Sequence, residues 1–263
     1  MISEWKGKWA LVTGASAGIG KALAEELALG GANLVLTARR QERLKVLAEE
    51  LARKHRVKAE IFAADLAQNS APEEIFKFTQ GKGIEIQLLV NNAGFGQYGE
   101  FHEVATERLL EMVQVNCSAV VQLTRLYLPE MVARRCGDVL IVASTASFQA
   151  VPYISTYAAT KAFDLLLAEG LAEEMKPYGV RVCALCPGTT TSEFHELAGH
   201  PSHAKGREQR AETVARNGLR ALADGKSYLI SGLGNYLGAH GERLVPRRLV
   251  TRIAAQMFRP SKN

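Results

Sequence analysis

What this chain has little of narrows the reading first. Four cysteines, Cys117, Cys136, Cys183 and Cys186, are too few and too scattered to staple 263 residues, which excludes a disulfide framework and fits a reducing compartment. No run of eighteen apolar residues occurs, so no membrane-spanning helix is expected, and the residues before Trp9 hold no long apolar segment of the secretory kind. The expectation is a cytoplasmic protein, soluble or peripheral to a membrane. A basic groove is missing too. The formal charge is +5, but residues 241–263 set Arg243, Arg247, Arg248, Arg252, Arg259 and Lys262 against Glu242 alone, so the remainder is balanced and offers no nucleic-acid surface. His195, His200 and His203 come without a carboxylate or thiol set at matching spacing, so no metal site is expected. Cys183 and Cys186 form a C-x-x-C, yet an offset of three along a strand turns them to opposite faces, as two buried small apolar side chains.

What is present is an alternation. At 47% hydrophobic the chain can bury a large core, and residues 1–263 read as one α/β domain. Short apolar, β-branched segments at 9–13, 33–37, 58–63, 87–91, 138–143, 181–186 and 227–230 read as seven strands. Between them Ala22-Leu23-Glu26-Leu27-Leu29, Leu44-Leu47-Leu51, Leu109-Met112-Val113 and Leu165-Leu166-Glu169 recur at helical spacing. Strands that are nearly all apolar, separated by helices, predict a mainly parallel sheet covered on both faces. The fold is then doubly wound, of the Rossmann kind, with ligands at the carboxyl ends of the strands. Residues 189–207 break the rhythm with Gly199, Pro201 and Gly206 and read as a lid over that edge.

The first strand runs into Thr13-Gly14-Ala15-Ser16-Ala17-Gly18-Ile19-Gly20, with an amphipathic helix directly behind it. Gly14 permits a tight turn, Gly18 lets backbone approach a diphosphate, and Gly20 lets helix and sheet pack closely, while the helix N-terminus presents N–H groups to the anion. Thr13, Gly14, Ser16, Gly18, Ile19 and Gly20 are the candidate contacts of this turn. After the second strand, where an acid would hold the ribose 2′-hydroxyl of NAD, stands Thr37-Ala38-Arg39-Arg40. Guanidinium groups there suit a 2′-phosphate, so the expected cofactor is NADP(H), with Arg39 as the first contact and Arg40 beside it. Tyr157-Ala158-Ala159-Thr160-Lys161 puts a phenol and an ammonium one turn apart on one helix face. A phenol titrates near pH ~10, and a nearby cation favours the phenolate, so Tyr157 is expected to exchange a proton with a carbonyl or alcohol oxygen. Ser144, at the end of an apolar strand thirteen residues earlier, can donate to the same oxygen.

These motifs resemble the short-chain dehydrogenase/reductase family, in the subgroup whose glycine turn reads T-G-x-x-x-G-x-G, over residues 8 to 231. The resemblance implies further site residues. Asp65 and Leu66 would lie near the adenine, and Asn92, Ala93 and Gly94 would pass the cofactor. Asn116 would hold a water of the proton relay, and Ser144, Tyr157 and Lys161 would be catalytic. Pro187, Gly188, Thr190 and Ser192 would touch the nicotinamide carboxamide. Tyr157 and Lys161 would also contact the cofactor, Lys161 through its ribose. The sequence departs from the family at Ala17, where many NADP-using members carry a basic residue, at Thr190, where valine or isoleucine is common, and at Ser192, where threonine is. Asn92-Ala93-Gly94-Phe95-Gly96 and Pro246-Arg247-Arg248 are similar to a bacterial subgroup of generic ketone and aldehyde reductases, which implies a homodimer or homotetramer. The implied reaction is reduction of a ketone or aldehyde, or oxidation of the alcohol. The readings set against it are a non-catalytic NADP-binding regulator or scaffold, and an epimerase or dehydratase on the same fold. Phe95, Tyr98, Phe101, Phe194 and Leu197 point to an apolar substrate. Last, Val245, Leu249, Val250, Ile253 and Met257 share one face of a basic helix. That stripe is expected to pack on the body or a neighbouring subunit, with a membrane surface as the alternative.

Overall fold

The computed structural model describes residues 2–191, 193, 198 and 208–260. Seven strands form one sheet: β1 Trp9–Thr13, β2 Asn33–Ala38, β3 Ala59–Ala63, β4 Ile86–Asn91, β5 Gly137–Val142, β6 Val180–Cys186 and β7 Tyr228–Ile230. They lie in the order β3-β2-β1-β4-β5-β6-β7, and every adjacent pair is parallel, so the expected fold is the observed one and the sheet is parallel throughout its described strands. No strand end differs from the sequence reading by more than one residue.

The strands alternate with α-helices α1 Gly18–Leu29, α2 Gln41–His55, α3 Ala71–Gly81, α4 Thr106–Val113, α5 Ala119–Ala133, α6 Ser155–Met175, α7 Ala211–Ala223, α8 Leu233–Gly241 and α9 Arg247–Phe258, beside short 3-10 and π-helical turns. The local reasons are visible in the sequence. Helix α2 carries Glu42 in its first turn and Arg53, Lys54 and His55 in its last, matching the helix dipole, while α3 has Pro72, Glu73 and Glu74 in its first turn.

Two apolar clusters flank the sheet. Leu23, Leu27, Leu44, Leu51, Leu219 and Leu222 pack on one face with Val12 and Leu185, and Ile75, Val120, Leu123, Tyr127 and Leu165 pack on the other with Leu11 and Ile141. Cys183 joins the first cluster and Cys186 the second, both buried, as the odd offset requires.

Strand order reverses between β1 and β4, so the helices after them leave toward opposite faces and open a crevice at the carboxyl edge. The opposite edge is tied shut. The buried Trp5 indole donates to Asp138 Oδ2 at 2.7 Å and Arg181 Nε donates to Asp138 Oδ1 at 2.6 Å, joining the amino end of the chain to the starts of β5 and β6.

The terminal helix turns its large apolar residues away from the described body of its own chain, which is one of the two partners expected for them. α9 buries Ala254 at 4% exposure, but Leu249, Ile253 and Met257 stay 47%, 48% and 61% exposed, so the stripe is not covered by the described body of its own chain. The cause is rotation of the helix: the small Ala254 faces inward, one step round from the larger residues.

Candidate functional site

The glycine turn and the turn after β4 are one structure. The Thr13 hydroxyl donates to Val90 O at 3.2 Å and accepts from the N–H groups of Asn92 and Ala93, each at 2.9 Å. Asn92 Nδ2 returns a bond to Thr13 O at 2.8 Å. Gly14 and Gly18 take φ of +66° and +54°, values other residues rarely adopt. Gly20 is required by proximity, since a Cβ there would stand 2.3 Å from Gly14 O and 2.4 Å from Asn92 Nδ2. The helix behind opens at Ala17 with no side-chain cap, leaving the N–H groups of Gly18, Ile19 and Gly20 to an anion, and this arrangement fits a dinucleotide diphosphate.

Beside the turn the two arginines separate. Arg39 is exposed at the end of β2. Arg40 donates from Nε and Nη2 to Ser16 Oγ at 3.2 and 3.0 Å, and from Nη1 to Glu193 at 2.7 Å; Arg43 reaches the same carboxylate at 2.6 Å. These cations hold the Glu193 carboxyl below its usual range. A cavity of about 540 Å³ opens here, lined by Ser16, Gly18, Lys21, Arg43 and Thr191. The Glu193 contact was missed in the sequence because it joins positions 150 residues apart.

Deeper along the edge, Ser144 follows β5 and caps a short 3-10 turn, Thr145–Phe148: its Oγ accepts from Ala146 N at 3.1 Å, and its N–H donates to Ser147 Oγ at 3.3 Å. Ser147 in turn donates to Lys161 O at 2.7 Å, fastening this turn to α6. Tyr157 and Ser144 share a side-chain hydrogen bond. Lys161 Nζ donates to Val142 O at 2.7 Å and to Asp164 Oδ2 at 2.9 Å, and both partners of that ion pair are buried. Asn116 lies in a π-helical turn, Gln114–Ser118, between α4 and α5; such turns recur at functional sites. Its Oδ1 accepts from Phe95 N at 3.1 Å, and its Nδ2 donates to Phe95 O and Thr160 Oγ1, both at 3.0 Å. A Cβ on Gly94 would stand 3.1 Å from Asn116 Oδ1 and 3.4 Å from Lys161 Nζ, which places the β4 turn, the asparagine and the lysine together.

Electrostatics modifies one expectation. Burial pushes the Tyr157 phenol above its ordinary value; Lys161 and the Ser144 bond pull it down, Asp164 pushes it up, and the net direction is upward rather than the lowering read from the Tyr–Lys spacing. For Lys161, burial pulls downward, but Asp164 and then Tyr157 outweigh it, so the ammonium is held. Asp164 was missed in the sequence, although an acid three residues after a lysine on one helix is a readable spacing.

The remaining predicted residues fall along the same edge. Asp65 Oδ1 caps its own turn by accepting from Ala67 N at 3.1 Å, whereas the Leu66 side chain is buried in the core. Pro187 O accepts from Thr145 N at 2.9 Å, and Gly188 lies against Asn235, where a Cβ would be 2.4 Å from Nδ2. Thr190 Oγ1 donates to Gly188 O at 3.0 Å. Phe95 lies under the Arg108 guanidinium, 3.9 Å from its ring centroid, Tyr98 Oη donates to Phe258 O at 2.9 Å, and Phe101 is exposed. Ser192, Phe194, Leu197 and the three histidines, with most of the expected lid, lie outside the described residues.

Fold and edge together define a dinucleotide-binding α/β protein with a serine, a tyrosine and a lysine converging beside the nucleotide cleft. The sequence pattern of the short chain dehydrogenase family matches residues 8–201, and the chain belongs to that family. It is similar to the very-long-chain 3-oxoacyl-CoA reductase-A of Danio rerio, 39% identical over 191 residues, covering 71% of this chain and 59% of the relative. The curated relatives it matches are thus spanned for between about half and three-fifths of their length. A short-chain dehydrogenase from Sphingobium yanoikuyae in complex with NADPH superposes with a TM-score of 0.83 at 28% identity, over 97% of this chain and 98% of that one. The bulky-bulky ketone specific alcohol dehydrogenase from Comamonas testosteroni gives 0.77 at 28%, over 90% and 92%.

Proposed function

We propose that this chain is an NADPH-dependent reductase of ketones or aldehydes that also runs in reverse on the alcohol, with an apolar substrate of the 3-oxoacyl or bulky-ketone type. The observation that carries the proposal is the convergence of Ser144, Tyr157, Lys161 and Asn116 on the edge that also holds the glycine turn. NADPH bound along that edge supplies the hydride. The turn residues Thr13 to Gly20 with Asn92, Ala93 and Gly94 bind the diphosphate side, and Asp65 with the backbone of Leu66 lies toward the adenine. Arg39 and Arg40 take the 2′-phosphate, and Pro187, Gly188, Thr190 and Ser192 take the carboxamide. Ser144 positions and polarises the substrate oxygen, and Tyr157 gives it the proton. Lys161 has three N–H donors, two of them engaged by Val142 and Asp164, which leaves one for the nicotinamide ribose. The substrate class is supported by the names of the relatives and by Phe95, Tyr98 and Phe101 along the neighbouring loop.

Mixing the protein with NADPH and a panel of ketones, aldehydes and 3-oxoacyl thioesters is expected to consume cofactor in step with alcohol formation. Binding without consumption across the panel would instead make it a regulator, and product with unchanged cofactor an epimerase or dehydratase.

The outward stripe of α9 is assigned to a second copy of the chain. Truncation before Gly241 is then expected to lower the mass in light scattering from dimer or tetramer to monomer. Unchanged mass, together with salt-sensitive sedimentation of the intact protein with anionic vesicles, gives the stripe to a membrane surface instead. No helix among the described residues is long and apolar enough to cross a membrane.

A further inference from the structure

Asp164 is a costly residue for its place. It is 1% exposed on α6, one of its carboxylate oxygens pairs with Lys161, and the other, Oδ1, is buried with no hydrogen-bond partner. A buried ion pair with unused acceptor capacity is poor material for stability, because desolvation offsets most of the attraction and an apolar side chain of similar volume serves the fold as well or better. Neighbours on α6 show that alternative, with Leu165 next to it and Ala168 one turn on buried in the core. The carboxylate therefore calls for a reason other than packing.

Its surroundings supply one. Lys161 lies between Asp164 and Tyr157 on the same helix, so the carboxylate acts on the tyrosine both directly and by offsetting the ammonium that the tyrosine faces. We propose that Asp164 is a positioning residue that holds the Lys161 ammonium against the end of β5 and sets how much of its positive charge reaches Tyr157. Among the described residues, the other titratable groups facing the pair are Cys117 on the π-helical turn and Cys186 at the end of β6. Burial pushes the Cys117 thiol up to about 11 and the Cys186 thiol up as well, so both stay neutral through the range in which an enzyme of this kind is assayed. Asp164 is thus the group that balances Lys161. The sign follows from Coulomb's law: the carboxylate disfavours the phenolate, and with Lys161 kept protonated by a neutral acceptor in the same place and by its attraction to Tyr157, removal of the negative charge lets Tyr157 ionise at lower pH.

This inference rests on Tyr157 as the proton donor, and its test reads that residue without needing turnover. Ultraviolet titration of phenolate absorbance is run on the full chain with NADP⁺ bound, for wild type and Asp164→Asn, using Tyr157→Phe in each background as the blank. Asparagine keeps the shape and an acceptor for Lys161 but not the charge. The Tyr157 midpoint is expected to move to lower pH in Asp164→Asn, and to return toward the wild-type position in Asp164→Glu. A residue of structural importance alone would lower the melting temperature and leave the midpoint in place, and that result overturns the proposal. Asp164→Ser, a smaller neutral variant, gives the same reading if the asparagine variant does not fold. Failure of the Tyr157 assignment is seen separately, as turnover that survives Tyr157→Phe.

Discussion

Tyr157→Phe is expected to remove nearly all turnover while leaving the dissociation constant of NADPH close to that of the wild type. The substitution deletes one oxygen and its proton and keeps the ring, so α6 and the contacts of Lys161 with Val142 and Asp164 persist. What is lost is the transfer of a proton to the substrate oxygen, worth about 10²–10⁴-fold in rate. Single-turnover rates and fluorescence titration with NADPH separate the two quantities. Retention of more than half the wild-type kcat would show that the proton comes from elsewhere. The upward push of burial on the phenol sharpens the expectation: in the reducing direction the group must arrive protonated, and an environment that favours the neutral phenol keeps it so.

The second large effect is on cofactor choice. Arg39→Asp replaces a cation suited to a 2′-phosphate by an acid suited to a 2′-hydroxyl, and loss of one charge-assisted hydrogen bond costs about 1.5–3 kcal/mol, roughly 10- to 150-fold in the ratio of kcat/KM for NADPH over NADH. Both arginines are exposed, and Arg40 is the guanidinium seen docked on the glycine turn through Ser16, so the same substitution at Arg40 belongs beside it. A shifted ratio in Arg39→Asp confirms the assignment made from its place directly after β2. An unchanged ratio there with a shifted one in Arg40→Asp transfers the role to the residue that touches Ser16.

Most of the candidate site was legible because it depends on short-range chemistry: a strand, a glycine turn and a helix in succession, or a phenol and an ammonium four residues apart. The seven strands were legible for a similar reason, since a strand covered on both faces must be apolar through its middle, as Leu88–Val90 and Val139–Val142 are. Helices α3, α5, α7 and α8 were not picked out. Helix α3 has Pro72 in its first turn, α5 contains Pro129 and α8 contains Gly234 and Gly238, so local preference speaks weakly there and packing decides.

The sequence by itself determined the order of the strands, the glycine turn proposed to bind the diphosphate and the Tyr157–Lys161 pair proposed to move the proton, because each is set by residues within one or two turns of one another. The tertiary structure decided what depends on distant residues meeting in a low-dielectric interior. It placed Thr13 as the hinge of two turns 79 residues apart and set Glu193 across Arg40 and Arg43. It also turned Ala254 rather than Ile253 inward on the last helix. It put the net direction of the Tyr157 shift upward, since a cation one turn away can be read from spacing, but the desolvation opposing it is summed over every group that excludes water from the ring.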